Sequence, residues 1–436
     1  MLNRAARPFV KLVERYLPDP YIFVLLLTLV VFAAAMLIEQ QTPLTVIEQW
    51  GNGFWGLLSF SMQMLLVLVT GFMLASTPLV KGVLEKLAGT ANTPGKAIIL
   101  VTLVSLTASW INWGFGLVVG ALFAKALARR VRVDYRLLVA SAYSGFVVWH
   151  GGLAGSVPLT IATPGHFTEN QIGVIGTGDT LFATFNLVLL GILFIIMPLV
   201  NRLMMPGERD AVIVEKDKLQ DKPLPPCEGG RPADKLENSP ALALLVGAAG
   251  LIYLISYFWQ GGSLNLNIVN YLFLFCAIVL HGTPRALLHS LQQAINGGAG
   301  IVIQFPFYAG IMAVMVQSGL AQSLSQWLIS FATAESLPVW SFISAGIVNI
   351  FVPSGGGQWA VQAPVMLPAA LELGAQVNRV AMAVAWGDAW TNLIQPFWAL
   401  PVLAIAGLKA KDIMGFCLVQ LLITGVIITL VLRFVG

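Results

Sequence analysis

Residues 349–362 read Asn-Ile-Phe-Val-Pro-Ser-Gly-Gly-Gly-Gln-Trp-Ala-Val-Gln, inside a stretch otherwise apolar enough to enter a membrane. No continuous helix tolerates this core. Pro353 lacks a backbone donor and clashes with the preceding turn, while Gly355, Gly356 and Gly357 remove helix propensity. Backbone facing lipid finds no water, so the break must line a protein cavity or a wet site. In a membrane carrier such an interruption is the best sequence pointer to the binding site.

Composition supports the membrane premise independently. The 436 residues are 57% hydrophobic and 10% charged, with mean hydropathy +0.83, whereas soluble domains carry about 25% charged residues. Apolar runs of about 18 or more residues occupy 21–38, 54–75, 180–200, 241–259, 299–317 and 412–432, each long enough to cross a hydrocarbon core of about 30 Å. A shorter run, 268–280, makes a seventh once extended by a turn. Two further runs, 137–162 and 380–408, are interrupted by polar or helix-breaking residues and read as broken helices.

The net charge of +4 and pI near 9.0 come from loops, so no nucleic-acid partner is implied. The charge reads as topology. With a cytoplasmic amino terminus, 22 of the 24 Lys and Arg fall on the cytoplasmic side, and only Arg379 and Arg433 fall outside. Arg4, Arg7, Lys11 and Arg15 recur at helical spacing opposite an apolar face, which predicts a helix on the inner membrane surface. The apolar run that follows is longer than a typical signal-peptide core, which argues against cleavage. Residues 201–239 hold seven basic and eight acidic residues, with Pro223, Pro225, Pro226 and Pro232 among them, and read as a cytoplasmic linker.

Cys227, Cys276 and Cys417 have no paired or metal-type spacing and read as packing residues. Gly51, Gly53 and Gly56 spell G-x-G-x-x-G, but no strand precedes them, so the match carries no nucleotide meaning.

The chain repeats itself weakly. At an offset of 243, residues 135–165 align with 378–408, and Arg136 meets Arg379, Ala140 meets Ala383, Ala142 meets Ala385 and Pro158 meets Pro401. Each half carries a spanning helix, a doubled apolar segment split by asparagine and glycines, a broken helix and another spanning helix. The doubled segments are 97–128, split at Asn112 to Gly116, and 338–371, split at Asn349 to Gly357. With arms of about 11 to 16 residues, or about 17 to 24 Å, both read as re-entrant hairpins. Lys96, Lys125, Arg129 and Arg130 flank the first, whereas Glu335 and Glu372 flank the second, which places their open ends on opposite sides.

The fold expected is therefore all-α and polytopic, with about nine spanning helices plus two hairpins arranged as inverted repeats. Its segments are 1–52, holding the surface helix and first span; 53–200, the first repeat; the 201–239 linker; 240–298, scaffold helices; and 299–436, the second repeat.

Each hairpin tip presents the carbonyl end of one arm and the amide end of the next, pairing a cation site with an anion site. Asn112 and Asn349 stand at the tips, and the Gly355, Gly356 and Gly357 amides can approach a carboxylate because no β-carbon intervenes. Neither tip holds Lys or Arg. A multivalent anion would demand guanidinium clamps, so neutral donors favour a small monocarboxylate. Trp113, Phe115, Trp359, Phe397 and Trp398 are candidates to cover its apolar tail, although helix packing is the commoner role of any one of them.

Asp388 is the one carboxylate well inside an apolar segment. Insertion there costs about 2.5 to 3.5 kcal/mol, which marks it as functional by default. It is a candidate cation ligand or proton carrier, with a helix-capping role as the plain alternative. In the first repeat the matching break is Trp149, His150, Gly151 and Gly152, with Ser156 and Pro158 beyond. The candidate substrate-binding residues are Asn112, Trp113, Gly114, Ser354, Gly355, Gly356, Gly357, Gln358, Thr391 and Gln395. The candidate coupling-ion residues are Asn112, Asn349, Asp388, Thr391 and Asn392, where sodium is one candidate ion and a proton the other.

The stretches Ile-Asn-Trp-Gly-Phe-Gly-Leu-Val-Val-Gly at 111–120, Val-Pro-Ser-Gly-Gly-Gly at 352–357 and Gln-Pro-Phe-Trp-Ala-Leu-Pro at 395–401 resemble the short-chain fatty acid transporter family. So do Leu-Ala-Ile-Ala-Gly-Leu at 403–408, Leu-Pro-Asp-Pro at 17–20 and Trp-Gly-Asn-Gly-Phe-Trp at 50–55. The likeness covers essentially the whole chain. It implies a carrier of acetoacetate or butyrate in a bacterial-type inner membrane, coupled to a cation and without a cofactor. It also implies a homodimer whose scaffold holds two transport domains that move as elevators. Another small organic anion, or a dicarboxylate, is the alternative cargo. An enzyme would need paired acids or a nucleophile with its base, and an ATP-driven pump a nucleotide motif, neither of which the sequence offers.

Overall fold

Thr42, Thr77 and Thr93 each precede a proline, and in the computed structural model each starts a helix. The hydroxyls accept from the backbone amides of Thr45, Val80 and Lys96 at 3.2, 3.4 and 3.3 Å, while Pro43, Pro78 and Pro94 fill a first-turn position that needs no donor. The structure describes residues 20–207, 209–215, 219, 231–295, 298–350, 352 and 354–435. The expected surface helix at 1–19 lies outside them, as do Cys227 and most of the linker.

Among the described residues the protein is all helical. Seven helices are long and apolar enough to cross a membrane, Leu58–Ala75, Pro94–Ile111, Tyr135–Ile161, Thr184–Leu203, Pro240–Trp259, Ala299–Ser318 and Ala410–Phe434. The chain is a polytopic membrane protein.

The order of elements repeats more fully than the sequence suggests. The first set runs Pro20–Leu37, Pro43–Gly53, Leu58–Ala75, Pro78–Ala88, a helix pair, a broken helix and Thr184–Leu203. The second runs Leu266–His281, Pro284–Ile295, Ala299–Ser318, Leu320–Ile329, a helix pair, a broken helix and Ala410–Phe434. Pro240–Trp259 falls between the sets. The short helices were not foreseen, because at 10 to 12 residues they are too brief to register as apolar runs. Gly319 joins two elements of the second set at φ +91°, a left-handed conformation that suits glycine.

The first helix pair consists of Pro94–Ile111 and Trp113–Arg130, hinged at the extended Asn112. A β-carbon added to Gly116 would strike Ser109, and one added to Gly120 would strike Ser105, so the arms are antiparallel and nearly in backbone contact. The second pair, Leu337–Val348 and Gly355–Leu373, is antiparallel too. Gln358 Nε2 donates to the Ala345 carbonyl at 2.8 Å, and Gln362 Nε2 reaches Ser344 Oγ at 3.4 Å. The short-arm expectation needs correction. Three of the four arms are longer than expected, at 18, 18 and 19 residues, while Leu337–Val348 has 12, within the expected range.

The broken helices fall where the sequence placed them, within a few residues. The first is Tyr135–Ser144, a tighter 3-10 segment Gly145–Gly151, and Ser156–Ile161; the second is Val377–Asn392 and Pro396–Ala406. They run antiparallel through one another's breaks. Tyr135 Oη donates to the Ala406 carbonyl at 3.0 Å and Tyr143 Oη to the Asn392 carbonyl at 2.5 Å, while His150 meets Asp388. Residue numbers rise along one helix as they fall along the other, the relation an inverted repeat produces.

Buried polar side chains lock the two sets together. Asn201 donates to Thr102 Oγ1 at 3.0 Å and Ser144 Oγ at 2.9 Å, and its oxygen accepts from Gln420 at 2.8 Å. One amide thus ties the first hairpin, the first broken helix and both closing helices. Asn186 does the same near the centre, donating to the Gly151 carbonyl at 3.1 Å and accepting from Trp386 Nε1 at 2.9 Å. Gly51 and Gly53 lie in or at the end of the Pro43–Gly53 helix, and a β-carbon on Gly53 would strike Ala313. Gly53 serves helix packing, whereas an added β-carbon on Gly51 would meet nothing within 4 Å.

Candidate functional site

Ser354 caps the helix Gly355–Leu373, its hydroxyl accepting from the Gly357 amide at 3.4 Å. The three glycines that follow face three different walls. A β-carbon on Gly355 would stand 2.5 Å from His150 Cε1, one on Gly356 2.6 Å from Phe60, and one on Gly357 2.6 Å from the Tyr308 ring. Only glycine lets the second tip seat so deeply between the two sets.

A cavity of about 20 Å³ lies at this tip, room for a water or two. It is lined by Ser354, Gly355 and Gly356, by Trp113 and Trp149, and by Trp398, with Ser156 and Gln304 among the polar groups; none of its lining residues is Lys or Arg. The indole rings pack edge to face, Trp113 on Trp398 at 5.3 Å, while Trp149 stacks on His150 at 3.9 Å. Trp113 and Trp149 are almost wholly buried, yet neither indole N–H has a hydrogen-bond partner. Such donors are costly unless an acceptor visits them.

Behind the glycines, four of the five candidate coupling-ion residues meet. Asn349 Nδ2 lies 3.0 Å from the Asp388 carbonyl, 2.9 Å from Thr391 Oγ1 and 2.8 Å from Asn392 Oδ1. The orientations follow from the donors. Asn392 turns its nitrogen to Asp388 Oδ2 at 3.2 Å, which leaves its oxygen toward Asn349, and Thr391 donates to the Gly387 carbonyl at 3.3 Å. Asn349 must therefore offer its nitrogen to all three oxygens. Gln395 Nε2 closes the cluster on the Asn349 and Ile350 carbonyls, at 2.5 and 3.2 Å.

In this arrangement a cation would need the Asn349 amide to turn over. An amide nitrogen stands where three oxygens converge, and a cation would be repelled by its N–H groups. The side-chain oxygens beside it without a partner are Asp388 Oδ1 and Asn349 Oδ1.

Asp388 is fully buried, as is His150. His150 Nε2 accepts from the Val157 amide at 3.1 Å, so the neutral ring carries its proton on Nδ1. That nitrogen lies 3.1 Å from Asp388 Oδ2 in a bent geometry.

The remaining candidates lie elsewhere around the tips. Asn112 accepts from the Phe115 amide at 2.9 Å and donates to the Val67 carbonyl at 3.3 Å, and a β-carbon on Gly114 would strike Leu68. Both therefore face the helix Leu58–Ala75, apart from the Asn349 cluster. Gln358 bridges the arms of its own hairpin. Phe115 packs on Phe273 at 6.5 Å, Trp359 is buried in a separate apolar cluster, and the Phe397 side chain lies outside the described residues. Sequence reasoning gave Trp149 and Gln304 no role. The signal for Trp149 was its place beside His150 and two glycines in a span; Gln304 gave none beyond being polar in an apolar run.

Two antiparallel broken helices, each paired with a helix hairpin around a buried site of neutral donors, define a multi-pass membrane transport protein of inverted-repeat build. The chain matches the model of the short chain fatty acid transporter family over residues 1–435. It belongs to that family. A protein of Escherichia coli strain K12, whose name proposes a short-chain fatty acid transporter, is 46% identical over 434 residues, 98% of each chain. A similarly named protein of Haemophilus influenzae is 44% identical over 448 residues, covering both chains entirely. Among solved structures, the Alcanivorax borkumensis YdaH transporter is similar with TM-score 0.59 at 16% identity, over 95% of this chain and 98% of its own. Neisseria gonorrhoeae MtrF, described with a class of antimetabolite efflux pumps, gives TM-score 0.57 at 14% identity, over 100% and 97%. These two likenesses concern the fold.

Proposed function

We propose that the protein is a secondary carrier of small monocarboxylates, of the acetoacetate or butyrate type, coupled to a cation and seated in a bacterial inner membrane with its amino terminus cytoplasmic. The observation that carries this reading is the cavity at the second tip. It is lined by three indole rings, two of which carry buried N–H groups without a partner, and by the amide end of a 19-residue helix, with no cationic side chain. Such a wall suits one carboxylate with a short apolar tail. A dicarboxylate would leave its second charge without a partner.

The cavity is too small for that cargo as it stands, which agrees with a closed state between two open ones. The hairpins and broken helices are the elements suited to move as one body, because Asn186, Asn201 and Asn349 bind them to each other. The helices Pro20–Leu37, Leu58–Ala75, Pro240–Trp259 and Ala299–Ser318 are suited to remain as a scaffold, with a second copy of the chain completing a homodimer and the motion running as an elevator. The hairpins then re-enter from opposite sides. Labelled butyrate uptake into liposomes holding the purified protein tests the reading. Carrier-dependent uptake, inhibited by acetoacetate and unaffected by succinate, is expected; uptake of succinate in its place would overturn it.

A further inference from the structure

His150 and Asp388 come from the two opposite repeats, both are fully buried, and they lie 3.1 Å apart. Resting on the carrier reading above, we propose that the coupled ion is a proton, bound at Asp388 Oδ1, with His150 as the residue that holds the carboxyl in place. Four features lead there.

First, the imidazole turns its Nδ1 toward Asp388 Oδ2, 3.1 Å away in a bent contact. Val157 occupies Nε2 with an amide hydrogen, so a second ring proton would face another donor. The added proton goes instead to the carboxyl, whose Oδ1 has no partner. Second, the neighbouring oxygens of Asn392 and Thr391 are held by the Asn349 amide nitrogen, so in this arrangement the cluster takes a proton at Asp388 Oδ1 without rearranging. Third, Lys and Arg are missing from its described contacts. The polar and titratable groups facing the pair are Asn392 on the carboxyl, and Tyr143 and Tyr308 one contact further out, through the Asn392 carbonyl and Gly357.

Fourth, the pair abuts the cargo site. Gly355 and Trp149 line the cavity and touch His150, so a bound carboxylate would sit one imidazole ring from Asp388. Two anions in one dry site repel strongly, and one of them takes up a proton. Binding of the carboxylate thus favours a protonated Asp388. Cargo and proton load together, and the pair of them crosses as a neutral unit. After release on the other side the proton leaves as well, and the empty carrier returns with Asp388 ionised between His150 and Asn392.

The test compares counterflow with accumulation in liposomes, with protein-free liposomes subtracted. Asp388→Asn copies the protonated carboxyl. It is expected to lose accumulation driven by an alkaline interior while still carrying out measurable, though slower, exchange of internal butyrate for labelled external butyrate. Wild type should accumulate under the pH gradient and ignore a sodium gradient. His150→Phe, which removes the N–H donor and so destabilises the carboxylate, should move the midpoint of the uptake pH profile to higher pH while counterflow persists. Accumulation driven by sodium at equal pH, or unchanged gradient-driven uptake by Asp388→Asn, overturns the proposal alone. Lack of counterflow in wild type overturns the carrier reading, and the proposal with it.

Discussion

Asn349 and Asn392 face each other at 2.8 Å across the second hairpin tip and the second broken helix, nitrogen to oxygen. Because Asn392 in turn holds Asp388, the position of the tip and the state of the buried carboxyl are parts of one hydrogen-bonded unit. A shift of the hairpin is felt at Asp388 through two amides.

Asn349→Asp changes one atom and little volume. It places an oxygen, often charged, against the Asp388 carbonyl, Thr391 Oγ1 and Asn392 Oδ1, three groups that now accept from nitrogen. Breaking such a buried network costs about 1 to 3 kcal/mol or more. Uptake should fall at least tenfold, with Tm lowered by several degrees; Asn349→Ala should be milder in Tm and equally inactive.

Trp149→Phe and Trp113→Phe keep an aromatic ring and remove the indole N–H. A hydrogen bond to a charged acceptor contributes about 1.5 to 3 kcal/mol, so each variant should raise the KM for butyrate by about 10- to 100-fold. Uptake kinetics check this. A change confined to Tm would assign these rings to packing.

Asn201→Leu is expected to act on stability and leave substrate affinity alone. It removes the amide shared by Thr102, Ser144 and Gln420; the two hydroxyls keep their bonds to the Ile98 and Ser141 carbonyls, while the buried Gln420 amide loses its partner, at about 1 to 3 kcal/mol. Thermal unfolding in detergent should show a clear drop in Tm, with the KM for butyrate within a factor of about two.

Opposite hairpin entry predicts opposite labelling. In a background lacking native cysteines, Thr90→Cys before the first hairpin should react with an impermeant reagent from the cytoplasmic side, and Glu372→Cys after the second from the outer side. Both residues are exposed. Labelling of both from one side would contradict the inverted arrangement.

The fold was legible in the sequence wherever a physical rule acts locally. Pro353 has no amide hydrogen to continue a helix, the extended Ser354 starts a new one at Gly355, and the extended Gly152 ends the 3-10 segment, so both breaks fall within a few residues of their expected places. The Asn349, Asp388, Thr391 and Asn392 cluster was legible too, since buried polar groups in apolar segments must find one another. Asn112 was not. Its tip looked equivalent, but whether it faces the partner tip or the helix Leu58–Ala75 depends on a contact with Gly71, 41 positions earlier, where a β-carbon would stand 2.1 Å from Asn112 Oδ1. The short helices Pro78–Ala88 and Leu320–Ile329 escaped because hydropathy registers only long runs. The pairing of His150 with Asp388 required the antiparallel crossing of the broken helices, which no spacing in the chain records.

The central claim is that a small monocarboxylate binds between the glycines of the second tip and the Trp113 and Trp149 rings. Calorimetric titration of butyrate into purified wild type and Gly355→Ala measures it most directly. A β-carbon at 355 would stand 2.5 Å from His150 and 2.8 Å from Trp149, so saturable binding in wild type and a loss of about tenfold or more in a folded Gly355→Ala are predicted. Equal affinity in the two proteins would contradict the account.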